Sequence, residues 1–276
     1  MILPELGLQS RIDQRWKFSG VDHVDHCRDK QHFLSYPHDL SYIYNSRGFR
    51  DREWPSTAQE LRNAIWCIGD SFTVGLGSPL EHTWPFQLSK ITNQRTINVS
   101  MDGASNEWIA RVTQKIIQAV DPAKIVIMWS YTHRREKSDI TLCDEDRRMQ
   151  VDRMSDTQDW ENFLNCYNNI NLISSPVQFA VPNFHPTLLD VGKCWQDIKG
   201  VDWPDAPQTL AELHALPASI LSEIDTLHNC LERIQQALCV DVVKVHNKDL
   251  ARDGHHFDLI TAEWIAELAA NQLNQL

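Results

Sequence analysis

An α/β fold, three layers deep with a mostly parallel sheet of about five strands between helices, is predicted by three observations. Short apolar runs and amphipathic helical patterns alternate from residue 64 to the C-terminal end. The apolar run "AIWCIGD" reads as a buried strand, as expected where helices cover both faces of a sheet. Residues capable of chemistry fall just after several of these runs, at the carboxyl edge where parallel sheets bind their ligands.

Each element has its own justification. "AIWCIGD" (64–70) ends abruptly in Gly-Asp-Ser, and Thr73, Gly75 and Gly77 then keep the chain small and turning. "WPFQLSKI" (84–91) predicts a helix with Pro85 in its first turn, where a missing N–H costs nothing. "RTINVS" (95–100) is a second short strand. "SNEWIARVTQKIIQAV" (105–120) predicts an amphipathic helix capped by Ser105, with Trp108, Val112, Ile116, Ile117 and Val120 in one stripe. "KIVIMWS" (124–130) is a third strand, "WENFLNCYNNINLI" (160–173) a helix and "VQFAV" (177–181) a fourth strand. "SILSEIDTLHNCLERIQQAL" (219–238) predicts a long helix, "VDVVKV" (240–245) a fifth strand, and "TAEWIAELAANQL" (261–273) a closing helix. Residues 1–60 read as an irregular lead-in packed on the core through Tyr42, Tyr44, Phe49 and Trp54. Residues 61–276 read as one domain, with excursions near 131–156 and 186–215.

Composition narrows the function. The 276 residues carry 42% hydrophobic and 23% charged side chains, enough for a sizeable core. A formal net charge of −11 argues against a non-specific grip on nucleic acid or an anionic membrane. The short basic run Arg134, Arg135 and Lys137 reads as solvated surface. No stretch approaches the roughly 20 apolar residues of a membrane span, and the first residues lack the pattern of a secretory signal, so the expectation is a cytoplasmic protein. Seven cysteines without CxxC spacing argue against a disulfide framework or a zinc knuckle. "VDHVDHCRDKQH" (21–32) invites a metal reading through His23, His26, Cys27 and His32, but none of its pairs has the helical spacing of a zinc protease, and no cofactor is expected.

The chemistry centres on Ser71. A serine hydroxyl is a poor nucleophile unless a base lies in reach, a third group orients that base, and donors await the oxyanion. "ARDGHHFD" (251–258) offers a base and an orienter between the last strand and the last helix. Asp253 and His256 stand three apart, a spacing at which a tight turn sets a carboxylate against an imidazole. His255, at Asp-x-His spacing, is the near competitor. The plainer alternatives are a Ser71 that only caps a helix, an Asp253 and His256 that are loop residues, and a Gly103 that only makes a turn. Trp129, at a strand end, reads as packing rather than as a platform for a sugar.

"GDSFTVG" (69–75), a glycine after the second strand and a terminal Asp-x-x-His together resemble the SGNH hydrolases, the GDSL-type esterase superfamily. "NSRGFRDREWP" (45–55) is similar to the lead-in of bacterial and phage members, and the resemblance spans about residues 40 to 276. It implies a flavodoxin-like fold and a serine ester hydrolase acting through an acyl-enzyme. Ser71 would be the nucleophile and its N–H the first oxyanion donor. "NVSMDGAS" (98–105) would place the Gly103 N–H as the second donor. His256 would be the general base, Asp253 its orienter, and Asp70 a brace for the turn. The third family block departs: where the family has Gly-x-Asn-Asp, with the Asn as third donor, this chain reads "MWSYTHRRE". Ser130 or Thr132 would have to substitute, and Ser130 is the first choice because it directly follows the strand. The implied substrates are small acyl esters, O-acylated carbohydrate among them. The alternative is a non-catalytic carbohydrate-binding or virion-associated module on the same fold. A flavodoxin-like phosphate or flavin binder would leave Asp253 and His256 unexplained.

Overall fold

The computed structural model describes residues 6–17, 35–36, 38, 40–136, 149–151, 156–182, 184, 200 and 242–275. The chain divides into two compact units, Met1–Pro182 with Val243–Leu276, and Asn183–Val242. The first carries every site residue discussed below. The second falls almost wholly outside the described residues, and with it the helix expected over 219–238 and the excursion near 186–215. The expected single domain over 61–276 therefore runs through both units. The histidine- and cysteine-bearing stretch 21–32 also lies outside the described residues.

Along the first unit the elements are β1 (Arg15–Lys17), β2 (Ser41–Ile43), α1 (Ala58–Asn63), β3 (Ile65–Gly69), α2 (Ser71–Val74) and α3 (Trp84–Thr92). They continue with β4 (Thr96–Ser100), α4 (Asn106–Val120), β5 (Lys124–Trp129), β6 (Arg134–Glu136), β7 (Met149–Val151), α5 (Asp156–Asn171), β8 (Val177–Ala180), β9 (Val243–Lys244) and α6 (Leu259–Leu273). The central sheet has five strands in the order β4-β3-β5-β8-β9, and every neighbouring pair is parallel. By position along the chain this is second, first, third, fourth, fifth. The order reverses at β3, and the carboxyl end of such a switch point is where parallel sheets generally bind ligands.

Burial explains why these runs became strands. Every residue of β3, β4 and β8 is buried, because helices flank the sheet and leave no face for water. The helices pack in pairs, α3 with α6 and α4 with α5. The Ser105 hydroxyl accepts from the Trp108 N–H at 3.2 Å and starts α4, whose Trp108, Val112, Ile116 and Val120 are buried. Pro85 sits in the first turn of α3. Two buried indoles have their donors occupied: Trp66 on the Leu61 carbonyl at 2.8 Å and Trp129 on Gln178 Oε1 at 2.8 Å. Trp129 is thus a packing residue, fully shielded from solvent.

Three local expectations are corrected. The lead-in is not merely irregular: β1 and β2 form an antiparallel pair, and Thr57 and Glu60 cap α1 reciprocally. The segment after β5 is not only loop, since β6 pairs antiparallel with β7. Two residues of the basic run are not solvated surface, because Arg135 is buried against Asp159 and Arg134 reaches Asp70; Lys137 lies outside the described residues. Strands of three residues carry too little pattern to be read from periodicity, and a charged side chain reveals its partner only in space.

Candidate active site

β3 ends at Gly69 and hands the chain to a tight turn. Asp70, fully buried, takes the N-cap position of α2, and its Oδ1 accepts from the Phe72 N–H at 3.0 Å. Ser71 is then the first helical residue, where its own N–H has no acceptor within the helix. Its hydroxyl stands 2.9 Å from His256 Nε2. On the far side of the ring, His256 Nδ1 lies 2.5 Å from Asp253 Oδ2. The other carboxylate oxygen, Oδ1, accepts from the His255 and His256 N–H groups at 2.9 and 3.0 Å. The Phe72 ring packs 4.5 Å from the His256 ring, centroid to centroid, and limits its swing.

Burial alone would raise the Asp253 carboxyl. The hydrogen bond and charge of His256, with the two backbone donors, outweigh it and hold the group below the ordinary carboxylate range. An ionised Asp253 fixes the proton of neutral His256 on Nδ1, leaving Nε2 as an acceptor toward Ser71. His255 is exposed, meets the His256 ring edge-on at 4.9 Å, and donates its backbone N–H to Asp253.

The loop that carries Asp253 is fastened to the nucleophile turn. The Gly77 carbonyl accepts from the Arg252 N–H at 2.9 Å, and Ser78 Oγ donates to Asp258 Oδ1 at 2.8 Å. Gly77 has φ +77°, and a Cβ there would lie 2.9 Å from the Ala251 Cβ and 3.0 Å from the Asp253 Cγ. Only glycine permits both the turn and the contact. From the lead-in, Tyr42 Oη accepts from the Gly77 N–H at 2.7 Å. Fully buried Arg50 donates to the carbonyls of Val74, Gly75 and Ser78 at 3.0, 2.6 and 2.7 Å. Its guanidinium also lies 3.9 Å from the Tyr42 ring centroid. Burial lowers the Arg50 pKa, partly offset by the nearby Tyr42, Tyr44 and Glu81. Arg50 and Tyr42 are functional contacts that sequence reasoning took only as lead-in. "NSRGFR" was the available signal, since Asn45 Oδ1 folds that stretch by accepting from the Arg47 and Phe49 N–H groups at 3.0 and 3.1 Å.

Gly103 follows β4 in a turn closed by the Ala104 N–H on the Met101 carbonyl at 3.1 Å. Its φ of +73° is the left-handed value that the third position of a type II turn requires. The Met101 N–H donates to the Gly69 carbonyl at 3.2 Å and ties this turn beside the nucleophile.

The third block has a different arrangement from the one expected. Ser130 is fully buried, and its hydroxyl donates to Asp70 Oδ2 at 2.7 Å. A hydroxyl has one proton, so Ser130 is not placed as an oxyanion donor. Its backbone is clamped by Asn106, which accepts from the Ser130 N–H at 2.8 Å and donates to the Ser130 carbonyl at 3.0 Å. Arg134 Nη1 joins the same group, 3.0 Å from Asp70 Oδ2 and 3.2 Å from Ser130 Oγ. Thr132 is buried in the Tyr131–Arg134 turn, where its carbonyl accepts from Arg135. Asn106 and Arg134 were missed: one reads as an ordinary first helical residue and the other as part of a basic run.

Among the described residues no cluster of three His, Cys, Asp or Glu side chains is arranged to hold a metal ion, and no helix is long and apolar enough to cross a membrane. Cys67 and Cys166 are free and buried, and burial raises both thiols.

The parallel sheet thus brings a strand-end serine, a histidine and an aspartate into one hydrogen-bonded series. Among solved structures, the chain is similar to the lipase/acylhydrolase from Enterococcus faecalis, at 12% identity, covering 77% of this chain and 96% of that one with a TM-score of 0.40. It is also similar to a putative lipolytic protein of the G-D-S-L family from Desulfitobacterium hafniense, at 13% identity, 76% and 98% coverage and a TM-score of 0.36. A third is a carbohydrate esterase family 2 enzyme plus carbohydrate-binding domain from Corynascus thermopiles, at 11% identity, 86% and 70% coverage and a TM-score of 0.38. No family model matches the chain, and the comparison with curated proteins returned no match.

Proposed function

We propose that this protein is a serine ester hydrolase that works through an acyl-enzyme. The observation that carries the reading is the hydrogen-bonded series from Asp253 through His256 to Ser71. In the first half-reaction, Ser71 Oγ attacks the carbonyl carbon and its proton passes to His256 Nε2. The carbonyl π electrons move onto oxygen, opposite the N–H groups of Ser71 and Gly103. When the intermediate collapses, the C–O bond to the alcohol breaks and His256 returns the proton to the departing oxygen. In the second half, water gives its proton to His256, its oxygen attacks the acyl carbon, and the Ser71–acyl bond breaks with return of that proton to Ser71. Asp253 stays ionised throughout and stabilises the imidazolium each time it forms.

The proposed substrates are esters of acetyl or other small acyl groups, with O-acylated carbohydrate as the natural class. The decisive experiment exposes the folded protein to a fluorophosphonate and maps the adduct by mass spectrometry, with p-nitrophenyl acetate turnover in parallel. Labelling of Ser71 that disappears in His256→Ala is the expected result. Neither labelling nor turnover from correctly folded protein overturns the reading and leaves a non-catalytic binding module.

A further inference from the structure

We infer that Arg134 is the charged donor of the oxyanion site, stabilising the negative oxygen that forms when Ser71 attacks the ester; this rests on the hydrolase reading above. Three observations lead to it. The Ser130 hydroxyl directs its one proton at Asp70 Oδ2 and has none to offer a substrate. Arg134 arrives at that same oxygen, one residue from Ser71 along the chain, through Nη1 alone. Its Nε and Nη2 make no hydrogen bond among the described residues, and its side chain is 16% exposed against 0% for Asp70. The guanidinium therefore has donors to spare, beside the nucleophile turn and open to an incoming group.

The surroundings hold that cation in place. Its Cζ lies 5.2 Å from the Tyr131 ring centroid, and Tyr131 in turn packs edge-on against Phe72 at 6.2 Å. Burial and the charge of Asp70 push the Tyr131 phenol up to about 12, so that ring stays neutral under the cation. A planar guanidinium offers several donors in a fixed fork, so one edge can grip Asp70 and Ser130 while another faces the substrate. Charge that develops only in the transition state is stabilised most by a donor already in position, which predicts an effect on kcat rather than on KM.

The competing explanation is that Arg134 only neutralises buried Asp70. The two part in a double-mutant cycle with Asp70→Asn, which keeps a side chain able to cap α2. In the full chain, Arg134→Gln is expected to lower kcat for p-nitrophenyl acetate by about 100-fold with KM little changed, and Arg134→Lys to retain part of the loss. Affinity for phenylboronic acid, which forms an anionic tetrahedral adduct with an active serine, is expected to fall in the same proportion. Adding Asp70→Asn to Arg134→Gln restores neither quantity if the cation acts on the oxyanion. Recovery of both in the double variant, with all four proteins equally folded by circular dichroism, overturns the inference and leaves Arg134 a partner of Asp70 alone. Unchanged kcat in Arg134→Gln with an active wild type also overturns it, while the hydrolase reading stands. A folded wild type that neither turns over nor takes the fluorophosphonate overturns both.

Discussion

The His256 ring meets both Asp253 and Ser71. One backbone turn puts both N–H groups on Asp253 Oδ1, and the ring of residue 256 reaches Oδ2 and Ser71. Alanine at His256 is therefore expected to lower ester turnover by roughly 10³-fold or more, and alanine at His255 by far less. A larger loss at His255, measured with p-nitrophenyl acetate, would contradict the geometry. Asp253 makes a prediction in pH. Its native pKa is held below the ordinary 3.8, so its contribution to stability is complete above that value and is lost as pH falls through the depressed one. Asp253→Asn should be less stable near neutrality and should lose stability less steeply in acid, below about pH 4, in thermal melts across pH. The same variant should lower kcat by about 10³- to 10⁴-fold, because an amide cannot fix the imidazole proton on Nδ1.

At the level of elements, the turn after α2 joins the two halves of the site. Gly75 to Ser78 is gripped from below by Arg50 and Tyr42 and passes that constraint to residues 252 and 258. Gly77 is the point at which it packs against the Asp253 loop. Alanine there must adopt an unfavourable φ and displace Asp253, so it should destabilise the fold by about 1–3 kcal/mol and reduce kcat more than KM. A Gly77→Ala protein with unchanged melting temperature and kcat would show that the loop relaxes without moving the carboxylate. The third-block region is held on the other side by the Asn106 clamp on Ser130. The β6–β7 pair, with Arg111 on Glu136 at 2.7 Å, begins at Arg134 itself and so fixes the backbone from which that side chain reaches Asp70.

For the first compact unit as a whole, the described part of the lead-in belongs to the folded body. Tyr42, Tyr44 and Phe49 are buried, and Arg50 is sealed beneath the nucleophile turn. A chain beginning at Thr57 would leave the carbonyls of Val74, Gly75 and Ser78 without their donor, at a cost of about 1–3 kcal/mol for each buried unsatisfied group. Against a total stability of roughly 5–15 kcal/mol, that loss together with the exposed aromatic sites should prevent cooperative folding. Calorimetry tests this: a sharp transition from the shortened chain, close to that of the full chain, would show the lead-in to be dispensable.

The sequence by itself determined the alternation of strands and helices, because a sheet covered on both faces writes burial into runs of apolar residues. It also determined which serine, histidine and aspartate to look for together, since Gly-Asp-Ser and Asp-x-x-His are local patterns placed at strand ends. It did not determine the use of the polar groups between them. Ser130 was free to face a substrate or Asp70, and Arg134 and Arg50 were indistinguishable from surface cations, because donors and acceptors have no periodicity and find partners far away along the chain. Tertiary structure decided those pairings: 60 residues separate Asp70 from Ser130, and in a buried space a carboxylate must collect whatever donors the packing brings to it.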